Sequence, residues 1–358
     1  MSKHGKILVA MSGGIDSTVT AILLHEQGYE VVGITMKTWD YASSGGSKKE
    51  TGCCSLDSIN DARTIAVEKQ FHHFIIDIRE EFGDYVIDNF VEEYLAGRTP
   101  NPCVLCNTHI KWEALLKRAD QMDCEFIATG HYAQINQNAD NSRYYISKGL
   151  DEHKDQSYVL WGLSQACLAR TKFPVGHIRK TEIREMAKQM GYFDLANKAE
   201  SYEICFVPDN DYRGFLKRKV EGLEERVDGG LFVDEDGNIL GTHKGLGIAL
   251  GEPYFVTEIK PAENVVVLGK EDTLLRNGMF VHHLNMQKYE SVNAGHSSVT
   301  KIRYKNTGSE SMLSLEGNDL MRVEFKDDVS AITPGQSAVF YEGNDVIGGG
   351  HILSSFIR

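Results

Sequence analysis

The hexapeptide Ser12-Gly-Gly-Ile-Asp-Ser17 follows a short apolar run, Lys6 to Met11, and opens an amphipathic stretch from Asp16 to Gln27 closed by Gly28. Gly13 and Gly14 turn the backbone tightly and present bare N–H groups. The helix N-terminus beyond them adds partial positive charge, so phosphate oxygens are the natural guest. Asp16 and Ser17 are candidate caps for that helix. Two glycines alone would suit any strand-to-helix turn, but the hexapeptide is neither a Walker loop nor a G-x-G-x-x-G dinucleotide turn. A second centre of chemistry is sulfur. Asn101-Pro-Cys-Val-Leu-Cys-Asn107 sets Cys103 and Cys106 at C-x-x-C spacing, which by itself suits half a zinc site or a redox pair. Cys124, Cys167 and Cys205 are isolated and Cys53 adjoins Cys54, so no second C-x-x-C completes a four-thiolate site and no metal centre is expected.

The elements that must position these groups alternate. Lys6 to Met11 and Glu30 to Met36 read as strands around a helix, the signature of a parallel βαβ unit. Ser58 to Lys69 (helix), His73 to Ile78 (strand), Arg79 to Tyr94 and Lys111 to Asp120 (helices) and Glu125 to Thr129 (strand) continue the pattern. The expectation is an α/β, doubly wound parallel-sheet nucleotide-binding domain over residues 1–205. After about Phe206 short strand-like segments such as Gly230 to Asp234, Asn264 to Gly269, Gly278 to His283, Ser298 to Tyr304, Met321 to Phe325 and Ala338 to Tyr341 are separated by Gly, Asn and Asp. They predict a small central β-rich domain, 206–275, and a C-terminal β-barrel, 276–358.

The hexapeptide resembles the pyrophosphate loop of the ATP pyrophosphatase superfamily, whose adenine nucleotide alpha hydrolase-like fold binds ATP and splits it between the α and β phosphates. That resemblance implies a nucleotide site at Ala10, Met11, Ser12, Gly13, Gly14, Ile15, Asp16 and Ser17, with Met36 near the adenine and Gly130, in Thr129-Gly-His-Tyr132, close to the nucleotide. Without it, Met36 reads equally as a core residue and Gly130 as a turn glycine. S-G-G-I-D-S, G-I-T-M-K, N-P-C-V-L-C-N, A-T-G-H-Y, K-D-Q-S-Y and I-C-F-V, in this order, closely resemble the tRNA-specific 2-thiouridylases of the MnmA type. The likeness is strong from residue 6 to about 270 and continues weakly through Arg303-Tyr304.

The family resemblance implies ATP-dependent adenylation of C2 of a wobble uridine, followed by sulfur transfer, with Mg²⁺ accompanying the pyrophosphate. Cys205 would carry a persulfide received from a sulfur-relay or cysteine desulfurase protein, and Cys106 would be the second thiol, attacking that persulfide or sealing a disulfide with Cys205. Asn101, Pro102 and Cys103 fall on the base-contacting tripeptide, Lys154, Asp155 and Gln156 on a tRNA-contacting segment, and Arg303 and Tyr304 on the barrel's contact pair. Cys103 stands where some members have Asp, so no acid/base role is carried over to it. Residues Glu200 to Cys205 read E-S-Y-E-I-C where many members have D-S-T-G-I-C, and His243 runs directly into Lys244-Gly-Leu-Gly where the family usually has a tract ending T-I-G-Q-R.

Composition bounds these readings. The 358 residues are 41% apolar and 25% charged, enough for two or three packed domains. The opening residues hold no signal-peptide core and no run is long enough to span a membrane, so a cytoplasmic location is expected. A net charge of −13 excludes non-specific coating of nucleic acid; RNA binding would need a local basic face. Residues 165–220 hold eleven Lys/Arg against seven Asp/Glu, a candidate face that also reads as ordinary solvated helix. Two other functions fit the loop: an AMP-forming synthetase acting on a small metabolite, and a non-catalytic nucleotide-binding regulator. Neither needs the cysteine pair.

Overall fold

The computed structural model describes residues 2–39, 55–198, 204–207, 209–244 and 254–358. Cys53, Cys54, Glu200 to Glu203 and the glycines after Lys244 lie outside the described residues. Five strands, β1 (Lys6–Ala10), β2 (Glu30–Lys37), β3 (His72–Asp77), β4 (Phe126–Ala128) and β7 (Thr171–Lys172), form a parallel sheet in the order β3-β2-β1-β4-β7. The β-branched middle of β1 is buried, as a strand covered on both faces requires. Helix α1 (Ile15–Glu26) leaves the end of β1, and α2 (Leu56–Glu68) precedes β3. Helical runs α3 (79–95) and α4 (102–121) each contain a widened, π-type stretch, at Gly83–Ile87 and Cys106–Trp112. Such stretches redirect side chains and recur at functional sites. In α4 the second one sends Cys106 and Ile110 into one apolar cluster and Trp112 and Leu115 into another. The strand order reverses between β1 and β4, so the crevice beyond their carboxyl ends is where an open α/β sheet binds ligands.

The expected change of texture comes later than Phe206. Residues 206–227 carry the helices α6 (Tyr212–Lys219) and Leu223–Val227, whose Phe206, Phe215 and Leu216 pack on the cluster around Phe82 and Phe90. Strands resume with β8 (Asp228–Val233), β9 (Ile239–Lys244), β10 (Phe255–Lys260) and β11 (Val265–Gly269), a four-stranded sheet in the order β10-β11-β8-β9.

The strands β12 (Leu275–Met286), β13 (His296–Lys301), β14 (Ser309–Leu315), β15 (Leu320–Ser330), β16 (Ser337–Glu342) and β17 (Asp345–Phe356) close into a six-stranded antiparallel barrel, because β12 pairs with both β15 and β17. A hairpin of β5 (Ala133–Gln137) and β6 (Tyr144–Lys148), on the chain between β4 and β7, joins this sheet through β17. Ser147 Oγ donates to Asp345 Oδ1 at 2.6 Å, and Lys288 Nζ reaches Glu342 and Asp345. Among the described residues no helix is long and apolar enough to cross a membrane.

Candidate functional site

The loop after β1 is wired by its own polar groups. Ser17 Oγ accepts from the Ser12 N–H at 3.1 Å and donates to the Gly14 carbonyl at 3.0 Å. Gly14 is the N-cap of α1 and no side chain caps the helix, which corrects the expectation for Asp16 and Ser17. The first-turn N–H groups therefore stay available to an anion. Asp16 is held elsewhere: Lys180 Nζ, on α5 (Lys180–Gln189), donates to both its oxygens at 2.7 Å, and the Tyr132 hydroxyl to Oδ1 at 2.6 Å. Gly13 has φ +68° and lies against the backbone of Ser58, leaving no room for a Cβ. A Cβ on Gly130 would sit 2.7 Å from the Asp16 carbonyl carbon, so the close approach this glycine permits is to the loop itself. Lys198 Nζ bonds Asp61 Oδ2 at 2.8 Å and reaches the Gly13 carbonyl at 3.3 Å. Met11 and Ile15 are core side chains, and Ala10 is partly buried, so these three offer the crevice backbone. Met36, at the end of β2, packs against both the cluster of the sheet and that of the thiols.

Across the crevice, Asn101 caps α4, accepting from the Val104 N–H at 3.5 Å. It also hydrogen-bonds the buried Tyr158, whose hydroxyl pKa burial raises. Cys103 is solvent-exposed on α4; desolvation pushes its thiol pKa up, and Lys111 opposes this. Lys111 acts on His131 too: burial, then Lys111, lowers its pKa to about 3, and Nδ1 lies 2.7 Å from Thr129 Oγ1. Tyr304 donates to the Asp155 carbonyl at 2.9 Å. Its own pKa is raised by burial, then by Asp155, with a smaller contribution from Cys103. Residues 101–103, 154–156 and 303–304 are thus drawn together from three distant parts of the chain.

Their side chains are not equally available. Asp155 accepts from the Gly149 and Ser157 N–H groups and from Ser157 Oγ, and Gln156 Oε1 accepts from the Tyr132 N–H, so both shape the loop. Arg303 is exposed, with one nitrogen on the Ala331 carbonyl.

Cys106, 8% exposed, lies in the apolar cluster of Phe82, Phe90 and Phe206, and half-buried Cys205 packs on the same cluster. Cys124 and Cys167 are buried in the core of the sheet, as expected of small apolar residues. All five described cysteines are free of disulfides, and among the described residues no group of three or more His, Cys, Asp or Glu could hold a metal ion. The loop's one carboxylate, Asp16, already carries Lys180. Among the described residues nothing is arranged to hold magnesium by itself, so such an ion would have to come with the nucleotide phosphates.

Two family models match the chain: a tRNA methyl transferase HUP domain over residues 5–209 and an aminomethyltransferase beta-barrel domain over 276–352. The tRNA-specific 2-thiouridylase MnmA of Cytophaga hutchinsonii is 66% identical over 99% of this chain and 99% of its own length. Those of Amoebophilus asiaticus, at 63% (99% of this chain, 96% of theirs), and Salinibacter ruber, at 54% (98% and 95%), are also similar. The chain belongs to the tRNA-specific 2-thiouridylases. Among solved structures, a 4-thiouridine synthetase–RNA complex with bound ATP covers 61% of this chain and 51% of its own, with TM-score 0.36 and 20% identity, too slight a likeness to argue from.

In this 2-thiouridylase two lysines at the loop escape a residue-by-residue reading. Lys180 and Lys198 belong to the basic stretch 165–220, whose excess charge was the one available signal, yet both face the phosphate loop and Lys180 is only 6% exposed. Lys111 and His131 are a second omission. His131 lies inside the T-G-H-Y motif, but nothing local tells that it is buried beside Lys111.

Proposed function

We propose that this member of the tRNA-specific 2-thiouridylases adenylates C2 of a wobble uridine and replaces its oxygen with sulfur, using the groups just described. The single observation that carries this reading is that Cys106 and Cys205, far apart in sequence, pack on one apolar cluster which Met36 links to the phosphate-loop side. ATP is a substrate and brings Mg²⁺ on its phosphates. The uridine C2 oxygen attacks the α phosphorus, and pyrophosphate leaves onto the N–H groups of Ser12 to Ser17. Asn101, Pro102 and Cys103 hold the base. The terminal sulfur of a Cys205 persulfide attacks C2, and AMP departs with the former carbonyl oxygen. Cys106 thiolate then attacks the Cys205 sulfur; the S–S electrons stay on the sulfur bound to C2, giving the thiocarbonyl and a Cys106–Cys205 disulfide that a cellular thiol must reduce. The apolar surroundings keep water from the persulfide. Lys154, Arg303 and Tyr304 hold the tRNA, and a sulfur-relay or cysteine desulfurase protein reloads Cys205 in the cytoplasm.

A small-metabolite synthetase finds no support, since relatives matching 99% of the chain are thiouridylases. The test is nucleoside mass spectrometry of tRNA from a strain lacking the gene, together with product analysis of the purified protein. Loss of wobble 2-thiouridine, and tRNA-stimulated AMP and pyrophosphate, are expected. Intact 2-thiouridine, or ADP and phosphate as products, would overturn the proposal.

A further inference from the structure

Between α3, α4 and the barrel lies a recess of about 590 Å³ outside the phosphate loop and the thiol cluster. That is within the range of about 300–1,000 Å³ typical of small-ligand sites. Pro100 and Asn101 line it together with His282, His283 and His351. Successive residues of a regular strand point to opposite faces, but β12 has a register irregularity between His282 and Asn285, and His283 adopts φ +51°. The Asp319 carboxylate fixes this bulge by accepting from the His283 and Leu284 N–H groups at 3.1 and 2.7 Å. As a result the two neighbouring imidazoles lie 4.3 Å apart, with His351 6.5 and 6.2 Å from them. Bulges that re-aim side chains recur beside functional sites.

The chemistry of the lining selects the ligand. The three rings do not form a metal site, since no described group of His, Cys, Asp or Glu has that geometry. The one carboxylate of the recess, Glu93, is engaged by the Arg98 guanidinium through two hydrogen bonds. What remains is apolar surface from Val104, Leu105, Ile352 and Leu353, the rings of Trp161, His109 and the three histidines, and the side-chain amides of Asn89 and Asn285. Flat rings with donors suit a nucleobase and its phosphate, the pattern by which proteins hold unpaired RNA.

We propose that this recess takes a second nucleotide of the tRNA anticodon loop, beside the uridine held at Asn101, with its base stacked on the His282–His283 pair. The inference rests on the tRNA reading above and adds a subsite to it. Burial lowers the pKa of His282 and, most strongly, of His351, to about 4, so these two rings face the RNA as neutral donors.

The test is fluorescence anisotropy of an anticodon stem-loop with the full chain and with the double variant His282→Ala/His283→Ala. Affinity should fall roughly tenfold or more, the worth of one lost stacking contact. The log–log salt slope should not change, because a base stacked on a ring releases no counterions. Where the double variant does not fold, carbethoxylation of the parent protein decides: the stem-loop should protect His282 and His283, and AMP alone should not. Unchanged affinity in a folded variant, or protection by AMP and not by the stem-loop, overturns the subsite while leaving the thiouridylase reading intact. A parent chain that binds no stem-loop at all overturns both.

Discussion

Around the phosphate loop the charges are paired before any ligand arrives: Asp16 with Lys180, and Asp61 with Lys198. Around the thiols the described surroundings are apolar; Cys106 and Cys205 rest among Phe82, Phe90, Phe206 and Phe215. The first region is organised by electrostatics, and losing buried Lys180 from its pair with Asp16 is costly. The second is organised by packing, so a sulfur can be exchanged for oxygen with little structural consequence and complete chemical consequence. Substitutions on the two sides should therefore separate stability from chemistry.

The largest expected effect is chemical. Cys205→Ser and Cys106→Ser should each lower thiouridine formation on the order of a thousandfold or more, the scale of losing a covalent nucleophile. Both should keep tRNA-dependent ATP–pyrophosphate exchange. A Cys205→Ser enzyme that thiolates tRNA at the parent rate from a persulfide donor would break the contrast. On the polar side, Lys180→Met strands Asp16, and urea unfolding should show a loss of about 3 kcal/mol, the low end for a broken buried pair because Asp16 retains 31% side-chain exposure. Adenylation should fall with it. An unchanged unfolding midpoint with unchanged adenylation would show the pair to be incidental.

His131 offers a titration. It has a folded pKa of about 3 against 6.5 for the free side chain, so the unfolded chain binds more protons in between. Its contribution to stability is complete above pH 6.5 and is lost as pH falls toward 3. His131→Asn should flatten that limb of the stability profile, and a limb of unchanged slope would count against burial as the cause.

Smaller still, Lys154→Ala and Arg303→Ala should each reduce the log–log salt slope of tRNA binding by roughly one counterion. Parent slopes in both would remove them from the RNA contact. Last, Cys124→Ala and Cys167→Ala should cost about 1 kcal/mol in stability with no change in thiolation. A thiolation defect in either would mean that the core thiols take part in the relay.

Much of this architecture is legible in local sequence. The run Lys6–Met11 differs from β1 by one residue, and the βαβα alternation follows the hydrophobic period. What escapes is non-local. Ala133–Lys148 alternates and turns at polar residues, but its partner in the barrel lies some two hundred residues on. Lys180 begins a strongly polar helix and looks like surface; only the fold brings Asp16, 164 residues earlier, beneath it. The capping expectation for Asp16 failed for the same reason, because a tertiary ion pair outcompeted the local bond. The site motifs were visible as motifs, yet that Asp155 and Gln156 are occupied in shaping the loop required the hydrogen bonds.

The β5–β6 hairpin has a consequence for how the molecule is made. Its inner strand, β6, pairs with β17, and Ser147 and Asp345, which bond to each other, are 198 residues apart. At roughly 5–20 residues per second, a ribosome needs on the order of 10–40 s to deliver that partner. Throughout that interval the nascent ATP-binding portion displays an open sheet edge, the kind of surface that recruits other chains. The barrel's final strand is in this sense the cap on an early hazard, and pausing translation just before Asp345 should raise aggregation of the nascent chain more than pausing after Phe356.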